Sequence, residues 1–176
     1  PLLNAAGLHA PYALRTIVEL VTNDGISGIG EVPGGVSITN DLEAARDLVI
    51  GKDPFALTTL AQDFEQRYAR RAPRIYSPVE VACLDIIGKA INRPVCDLLG
   101  GKLRDAVPFS AYLFFKYAGA GGQLAFESDP QATGWSAARQ AEALDPDAIV
   151  RQAQAMCQAF GFKSIKLKAG ALPPDV

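Results

Sequence analysis

Hydrophobic and polar positions alternate early in the chain and predict a β-hairpin. In LRTIVELVT, at 14–22, β-branched and apolar residues alternate with polar ones, as on a half-buried strand. The tripeptide NDG follows as a turn and leads into ISGIGEV. VPGG at 32–35 ends the second strand. We therefore expect two antiparallel strands in this part of the chain.

From Asp41 onward the apolar positions recur at helical spacing and predict two successive helices. The first, DLEAARDLVIG, has an acidic start and ends at Gly51. The second is DPFALTTLAQDFEQRYARR, with Asp53 as N-cap and Pro54 at the first helical position. Both carry one apolar stripe, so each should pack against a core with one face.

A third helix is predicted in SPVEVACLDIIGKAIN. Ser77 is the expected N-cap, Pro78 the first residue, and Glu80 completes a capping box. Its apolar stripe is broad enough for a central position in the core. A hairpin followed by three helices is typical of an α+β domain, to which we assign residues 1–106.

After residue 106 the pattern changes to that of parallel strands. PFSAYLFF at 108–115 is almost continuously apolar, as in strands covered on both faces. A helix is predicted from Asp145, and FKSIKLKAG supplies the next strand. Strand, crossover helix and strand form one βαβ unit, so residues 107–176 are predicted to begin a (β/α) barrel of the TIM type, incomplete in this chain. Residues 116–144 form a long polar connection, and connections of that length are usually functional.

Composition and charge exclude several classes of protein. The chain has 176 residues, 49% hydrophobic and 20% charged, and a net charge of −2, which argues against a nucleic-acid partner. Three scattered cysteines and one histidine argue against a Cys/His zinc site and fit a reducing, cytoplasmic location. No apolar run approaches the roughly 20 residues of a membrane span, and no signal peptide is visible. The first residue is not Met and the last strand ends close to residue 176, so we expect a piece of a longer protein.

Two lysines on the second predicted strand are the main candidates for chemistry. Lys166 and Lys168 should share one face of the strand, with Ile165 and Leu167 on the other. They could lie on a solvated face. They could instead point into a cavity at the carboxyl end of a barrel strand, where barrel enzymes carry their active sites. Two close ammonium groups there would favour loss of a proton from one, giving a base suited to carbon acids. Spacing alone leaves both readings open.

The K-x-K strand and its surroundings resemble a known family. An α+β domain, then DLLGGKLRDAVPFSAY, then K-x-K is similar to the enolase superfamily, in its mandelate racemase and muconate-lactonizing branch. NAAGLHAP, GEVPGG and GFKSIKLKAG further resemble glucarate dehydratases and their related proteins. The resemblance covers nearly the whole chain.

The resemblance implies a fold and a reaction. In that family an α+β domain caps a (β/α)₈-type barrel that binds Mg²⁺, whose ligands are expected beyond residue 176. The expected reaction is acid-sugar dehydration: loss of the proton α to a carboxylate gives an enediolate stabilised by Mg²⁺, and elimination of water gives a keto-deoxy sugar acid. The expected partner is a small acid sugar of the aldarate type, and the full-length protein is expected to be a homo-oligomer in the cytoplasm.

The resemblance also assigns roles to individual residues. Lys168 becomes the general base, and Lys166 its electrostatic partner and a contact of the substrate carboxylate. The residues expected to bind substrate are His9 and Asn4 in a capping loop, and Tyr112 and Phe114 at the end of the first barrel strand. Without the resemblance, His9 would be read as an exposed histidine, and the two aromatic residues as part of the strand core.

Two departures from the family leave the substrate open. Ala169 stands where the family commonly has glycine, and YARRAPRIYSP is shorter than the corresponding loop and lacks its substrate-contacting threonine. A related acid-sugar dehydratase is therefore as good a reading as glucarate dehydratase itself. The remaining alternatives are another racemase or cycloisomerase of the superfamily, and a non-catalytic fragment or capping module.

Overall fold

The computed structural model describes residues 2–4, 7–8, 14–119 and 129–168, with side chains in the last two ranges. Its strands are β1 (Leu2–Asn4), β2 (Gly7–Leu8), β3 (Arg15–Val21), β4 (Ser27–Pro33), β5 (Ala111–Lys116) and β6 (Ile165–Lys168). Its helices are α1 (Val36–Ala44), α2 (Arg46–Val49), α3 (Leu57–Tyr68), α4 (Ala72–Ala90), α5 (Val95–Leu98), α6 (Gly134–Gln140) and α7 (Pro146–Phe160), with a 3₁₀ turn at Ala69–Arg71. No helix in the described ranges is long and apolar enough to cross a membrane.

The chain forms two compact units. Ala13–Asp105 is the hairpin–helix unit; Pro1–Tyr12 and Ala106–Val176 together form the parallel-strand unit. The second boundary lies next to the predicted one at residue 106. The first twelve residues, however, group with the C-terminal part, because β1 pairs antiparallel with β5. The division into functional domains at 1–106 and 107–176 stays a prediction.

The predicted hairpin packs directly on helix α4. Strands β3 and β4 pair antiparallel from Arg15 opposite Pro33 to Val21 opposite Ser27. On the inner face of β4, Gly28 and Gly30 let the two backbones approach closely. A Cβ atom on Gly30 would lie 1.7 Å from the Pro78 carbonyl oxygen, and one on Gly28 would lie 2.1 Å from that of Ala82. The strand can reach the helix only because these positions lack a side chain.

Helix α4 is the centre of the hydrophobic core of this unit. Ile75 and Val79 are buried on it, and Phe64 and Leu60 are buried on α3. The rings of Phe64 and Tyr76 lie 5.3 Å apart, and the Tyr76 hydroxyl donates a hydrogen bond of 2.8 Å to the Leu57 carbonyl. Burial raises the pKa of Tyr76 to about 12, so this donor keeps its proton over the ordinary pH range. The α+β arrangement predicted from the pattern is thus present.

The predicted start of the third helix is wrong. Helix α4 begins at Ala72, and Ser77 and Pro78 lie inside it. Pro78 has no N–H for the Arg74 carbonyl, to which the Ser77 hydroxyl donates a long hydrogen bond of 3.5 Å. The helix continues through the proline because Ile75 and Tyr76, upstream of the expected cap, are buried. Tertiary burial here outweighs the local cap signal.

The starts of the first two helices are also shifted. Helix α1 begins at Val36, upstream of Asp41, and the helical path is interrupted at Ala45 before α2. Helix α3 begins at Leu57, so Asp53 is not its N-cap. The Asp53 carboxylate instead accepts a hydrogen bond of 2.9 Å from the Phe55 N–H. This is an Asx turn, a competing use of the same side chain ahead of the helix.

The parallel-strand unit contains the predicted βαβ arrangement. Its four strands follow the order β2, β1, β5, β6, and β5 and β6 are parallel. Helix α7 begins after Asp145, whose carboxylate accepts a hydrogen bond of 2.8 Å from the Ala148 N–H, and ends at Phe160, directly before Gly161 with its φ of 70°. The connection between β5 and α7 is not wholly irregular, because it contains helix α6.

Only one face of this sheet is covered by the described residues. Leu113 of β5 packs with Ala143, Ala148 and Ile149, which places the first turn of α7 against that face. Strand β6 is exposed from Ile165 to Leu167. The expectation of strands covered on both faces therefore holds for neither strand within the described ranges, where no further barrel element packs on β6.

Candidate active site

The register of β5 and β6 brings the predicted residues of the two strands together. Tyr112 is the Cα partner of Lys166, and Phe114 is the partner of Lys168. In adjacent parallel strands, partnered residues point to the same side, and side chains alternate along each strand. Tyr112, Phe114, Lys166 and Lys168 therefore share one face of the sheet, which we call the lysine–aromatic face.

Contacts within the lysine–aromatic face are close. The Lys166 Nζ atom lies 4.9 Å from the centre of the Tyr112 ring, a distance typical of a cation–π interaction. The Tyr112 and Phe114 rings are 4.4 Å apart and tilted by 41°. The amino ends of the strands are also joined, since the Ala111 N–H donates a hydrogen bond of 2.9 Å to the Ser164 carbonyl. The Tyr112 ring is thus a direct neighbour of the Lys166 ammonium group.

Neither lysine of this face is paired with a carboxylate within 14–119 and 129–168. Tyr112 is 38% exposed and Lys166 is exposed, whereas Phe114 and Lys168 are half-buried. Two ammonium groups on an open face beside aromatic rings can receive a carboxylate ligand. The exposure also fits a solvated face, so the assignment of these residues to a site stays a prediction.

The N-terminal candidates can be followed only in part. His9 lies outside the described residues. Asn4 is described by its backbone alone, as the Cα partner of Gly7 in the pair of β1 and β2. Strand β1 also runs beside β5, with Leu3 opposite Phe115. The strand that carries Asn4 is therefore next to the strand that carries Tyr112 and Phe114, and the roles of Asn4 and His9 stay predictions.

The described residues do not supply a metal site. Among them, no group of three or more histidine, cysteine, aspartate or glutamate side chains is close enough to hold an ion. Mg²⁺ is held by oxygen ligands, chiefly carboxylates and water, which the lysine–aromatic face does not offer. The described residues therefore do not form a binding site suited to Mg²⁺. The expectation that the ligands lie beyond residue 176 stays a prediction.

One charged residue near this face escaped the sequence analysis. Lys116, the last residue of β5, is 3% exposed, and its Nζ atom donates hydrogen bonds of 2.8 and 2.5 Å to the carbonyls of Ala138 and Arg139. Burial, and secondarily the charge of Arg139, lower the pKa of Lys116 from its ordinary value of 10.5 to about 8. The feature of the sequence that could have drawn attention to Lys116 is that a lysine directly continues an apolar strand. Its partners could not be found because α6 was not predicted.

Of the two departures from the family, the segment YARRAPRIYSP lies within the described residues. YARRAPRIYSP is the end of α3, the 3₁₀ turn and the beginning of α4. Ala169 lies outside the described residues. The segment YARRAPRIYSP contains no threonine, so its structure does not decide which substrate is bound.

Comparison with known proteins shows the family. Residues 9–100 match the family described as the mandelate racemase / muconate lactonizing enzyme N-terminal domain. A probable glucarate dehydratase of Streptomyces coelicolor is 41% identical, over 99% of this chain and 43% of the relative. A D-galactonate dehydratase of Klebsiella pneumoniae is 36% identical over 51% of this chain and 25% of the relative.

Solved structures agree with this result. An enolase of Thermobispora bispora, crystallised with magnesium and formate, matches with a TM-score of 0.83 and 44% identity, over 99% of this chain and 43% of that chain. An enolase of Pseudomonas fluorescens with bound magnesium, potassium and tartrate gives a TM-score of 0.82 and 40% identity, over 99% of this chain and 43% of that chain. The chain thus spans less than half the length of these relatives.

The matches confirm the predicted resemblance and fold class. The family domain at 9–100 coincides closely with the hairpin–helix unit, Ala13–Asp105. The α+β capping domain is therefore present, and no complete barrel lies within the described ranges. The chain belongs to the mandelate racemase / muconate lactonizing enzyme family of the enolase superfamily.

Proposed function

We propose that the protein to which this chain belongs is an acid-sugar dehydratase, a carbon–oxygen lyase of the glucarate dehydratase kind. The observation that carries the proposal is the register that sets Lys166 beside Tyr112 and Lys168 beside Phe114 on one face. The similarity to a probable glucarate dehydratase, at 41% identity over 99% of this chain, supports the same choice. Relatives named as D-xylonate and D-galactonate dehydratases extend the support to acid sugars in general.

Lys168 is the proposed general base. Its amine accepts the proton from the carbon next to the substrate carboxylate, and the electron pair of that C–H bond moves toward the carboxylate to form an enediolate. Collapse of the enediolate then breaks the bond between the neighbouring carbon and its hydroxyl group. The departing hydroxide takes up a proton from solvent and leaves as water, while Lys168 later returns its own proton to solvent, and the enol formed tautomerises to a keto-deoxy sugar acid.

Lys166 is the proposed electrostatic partner. The carboxylate gains a second negative charge as the proton leaves, so a cation fixed beside it stabilises the transition state more than the ground state. The contact between the Lys166 ammonium group and the Tyr112 ring, at 4.9 Å, limits the positions that this cation can take. A positioned cation loses less freedom on binding the substrate than a freely moving one.

The remaining residues would shape the binding of the sugar chain. Tyr112 and Phe114 offer ring faces to the apolar edges of the substrate, while Asn4 and His9 are proposed to contact its hydroxyl groups. The relatives crystallised with magnesium support a metal in the whole protein. Because the described residues offer no ligands for it, none of the steps above is assigned to the metal.

A direct assay tests this function on the full-length protein. The protein, with millimolar MgCl₂ in D₂O, is incubated with a panel of aldaric and aldonic acids, and ¹H NMR follows each α-proton. We expect loss of the α-proton together with a keto-deoxy product for at least one acid sugar. Exchange with formation of an epimer and no elimination would identify a racemase instead. Absence of exchange and product throughout the panel would overturn the dehydratase proposal.

A further inference from the structure

Lys116 joins the end of a strand to the end of a helix. Its buried Nζ atom donates hydrogen bonds to the carbonyls of Ala138 and Arg139, both in the last turn of α6. The last carbonyls of a helix have no partner within the helix and carry its negative dipole end. A buried amine that donates hydrogen bonds to two of these carbonyls is a specific structural contact, because a lysine is rarely placed in a protein interior without specific partners.

Backbone hydrogen bonds of Lys116 also bring together the two ends of the connection that follows it. The Lys116 N–H donates to the Ala143 carbonyl at 3.0 Å, and the Ala143 N–H donates back to the Lys116 carbonyl at 2.9 Å. Slightly farther out, the Gly119 N–H donates to the Gln140 carbonyl at 2.7 Å. We call Lys116, Gly119, Gln140 and Ala143 the neck. It ties together the two ends of the segment from 117 to 142.

The neck stands at the end of the lysine–aromatic face. Lys116 is the last residue of β5 and follows Phe114, a member of that face, by two positions. This is also the carboxyl end of the strand, where connections in (β/α) barrels form the active site. The segment 117–142 therefore starts where the proposed substrate-binding row of side chains stops.

We propose that Lys116 is a positioning residue whose amine fastens the last turn of α6 to the end of β5 and thereby fixes the described ends of the connection, residues 117–119 and 140–142, at the edge of the lysine–aromatic face. The fastening is independent of the reaction, whereas its effect on substrate binding rests on the proposed function. A loosened neck would leave the base in place but would let the edge of the site move. Substrate affinity should then suffer more than the chemical step.

Hydrogen exchange at pH 7 tests the fastening, with wild type, Lys116→Met, Lys116→Arg and the control Lys163→Met. Lys163 is an exposed lysine of the same unit. In Lys116→Met, the amides of Gly119, Ala141 and Ala143 should exchange at least about tenfold faster, because two carbonyls lose a buried donor. Lys163→Met should behave as wild type, and Lys116→Arg, which keeps donors and charge, should recover part of the protection. Exchange in Lys116→Met within about twofold of wild type would overturn the proposal.

A second measurement needs no folded variant. Acetylation of the wild-type protein by an amine-reactive ester, read by peptide mass spectrometry, should modify Lys116 at least about tenfold more slowly than Lys163, since a buried amine must be exposed before it reacts. Equal rates would show an accessible amine and overturn the fastening.

Kinetics of the full-length protein test the positioning role. Lys116→Met should raise KM about fivefold or more while kcat stays within about twofold, since weakened ground-state binding appears in KM. An unchanged KM with a loosened neck would overturn the role in substrate binding. If the wild-type protein dehydrates no acid sugar, the proposed function fails, and hydrogen exchange still decides whether Lys116 fastens the neck.

Discussion

Lys168→Ala in the full-length protein should slow α-proton exchange and dehydration by about a thousandfold, because a positioned general base typically contributes 10²–10⁴ in rate. Lys168 is half-buried and is the Cα partner of Phe114 on the lysine–aromatic face, where Lys166 lies two residues before it. Exchange is measured by ¹H NMR in D₂O with an acid sugar that the wild type accepts. The substituted enzyme should still bind the substrate, since Lys166 retains its cation.

The control for this prediction is Lys163→Ala. Lys163 is exposed and precedes β6, so its loss should leave the exchange rate within about twofold of wild type, as surface substitutions usually do. Small primary amines added to Lys168→Ala should restore part of the exchange if only the base is missing. A loss smaller than about tenfold in Lys168→Ala would place the base elsewhere.

Gly30→Ala should lower the free energy of unfolding by about 3 kcal/mol or more, at the upper end for an overpacked site. The added Cβ atom would lie 1.7 Å from the Pro78 carbonyl oxygen and 2.6 Å from its carbonyl carbon, both backbone atoms of α4. Neither atom can rotate away as a side chain would, so strand and helix must separate. Urea unfolding followed by circular dichroism gives the difference.

Gly25→Ala is the matched control in the same hairpin. Its Cβ atom would meet nothing within 4 Å, and only its φ of 81° disfavours a side chain. The cost should therefore stay near 1 kcal/mol, the usual strain of a left-handed position. Equal losses for the two variants would contradict the close approach of β4 to α4.

Local signals in the sequence located the elements well where no distant contact competed with them. The helix predicted from Asp145 does begin there, because its cap is a hydrogen bond from the Ala148 N–H, only three positions along the chain. At Ser77 and Pro78 a similar signal failed. There the buried side chains of α4 continue upstream, and packing against the core carries the helix through the proline.

The candidate site was predictable in composition but not in geometry. Alternation alone put Lys166 and Lys168 on one face. Their pairing with Tyr112 and Phe114 depends on hydrogen bonds between strands that are distant in the sequence, and no local pattern encodes that register. Lys116 was missed for a related reason: its partners belong to α6, which forms within a polar, glycine-containing segment.

A crystal structure of the full-length protein with magnesium and tartrate tests the central claim most directly, since relatives have been crystallised with this ligand. The claim is that the lysine–aromatic face receives the acid sugar. We expect the Lys166 Nζ atom within about 3.2 Å of a tartrate carboxylate oxygen, a hydrogen-bonding distance. The Lys168 Nζ atom should lie within about 3.5 Å of a hydroxyl-bearing carbon, as proton abstraction requires. Tartrate bound away from this face, with both amines in solvent, would contradict the account.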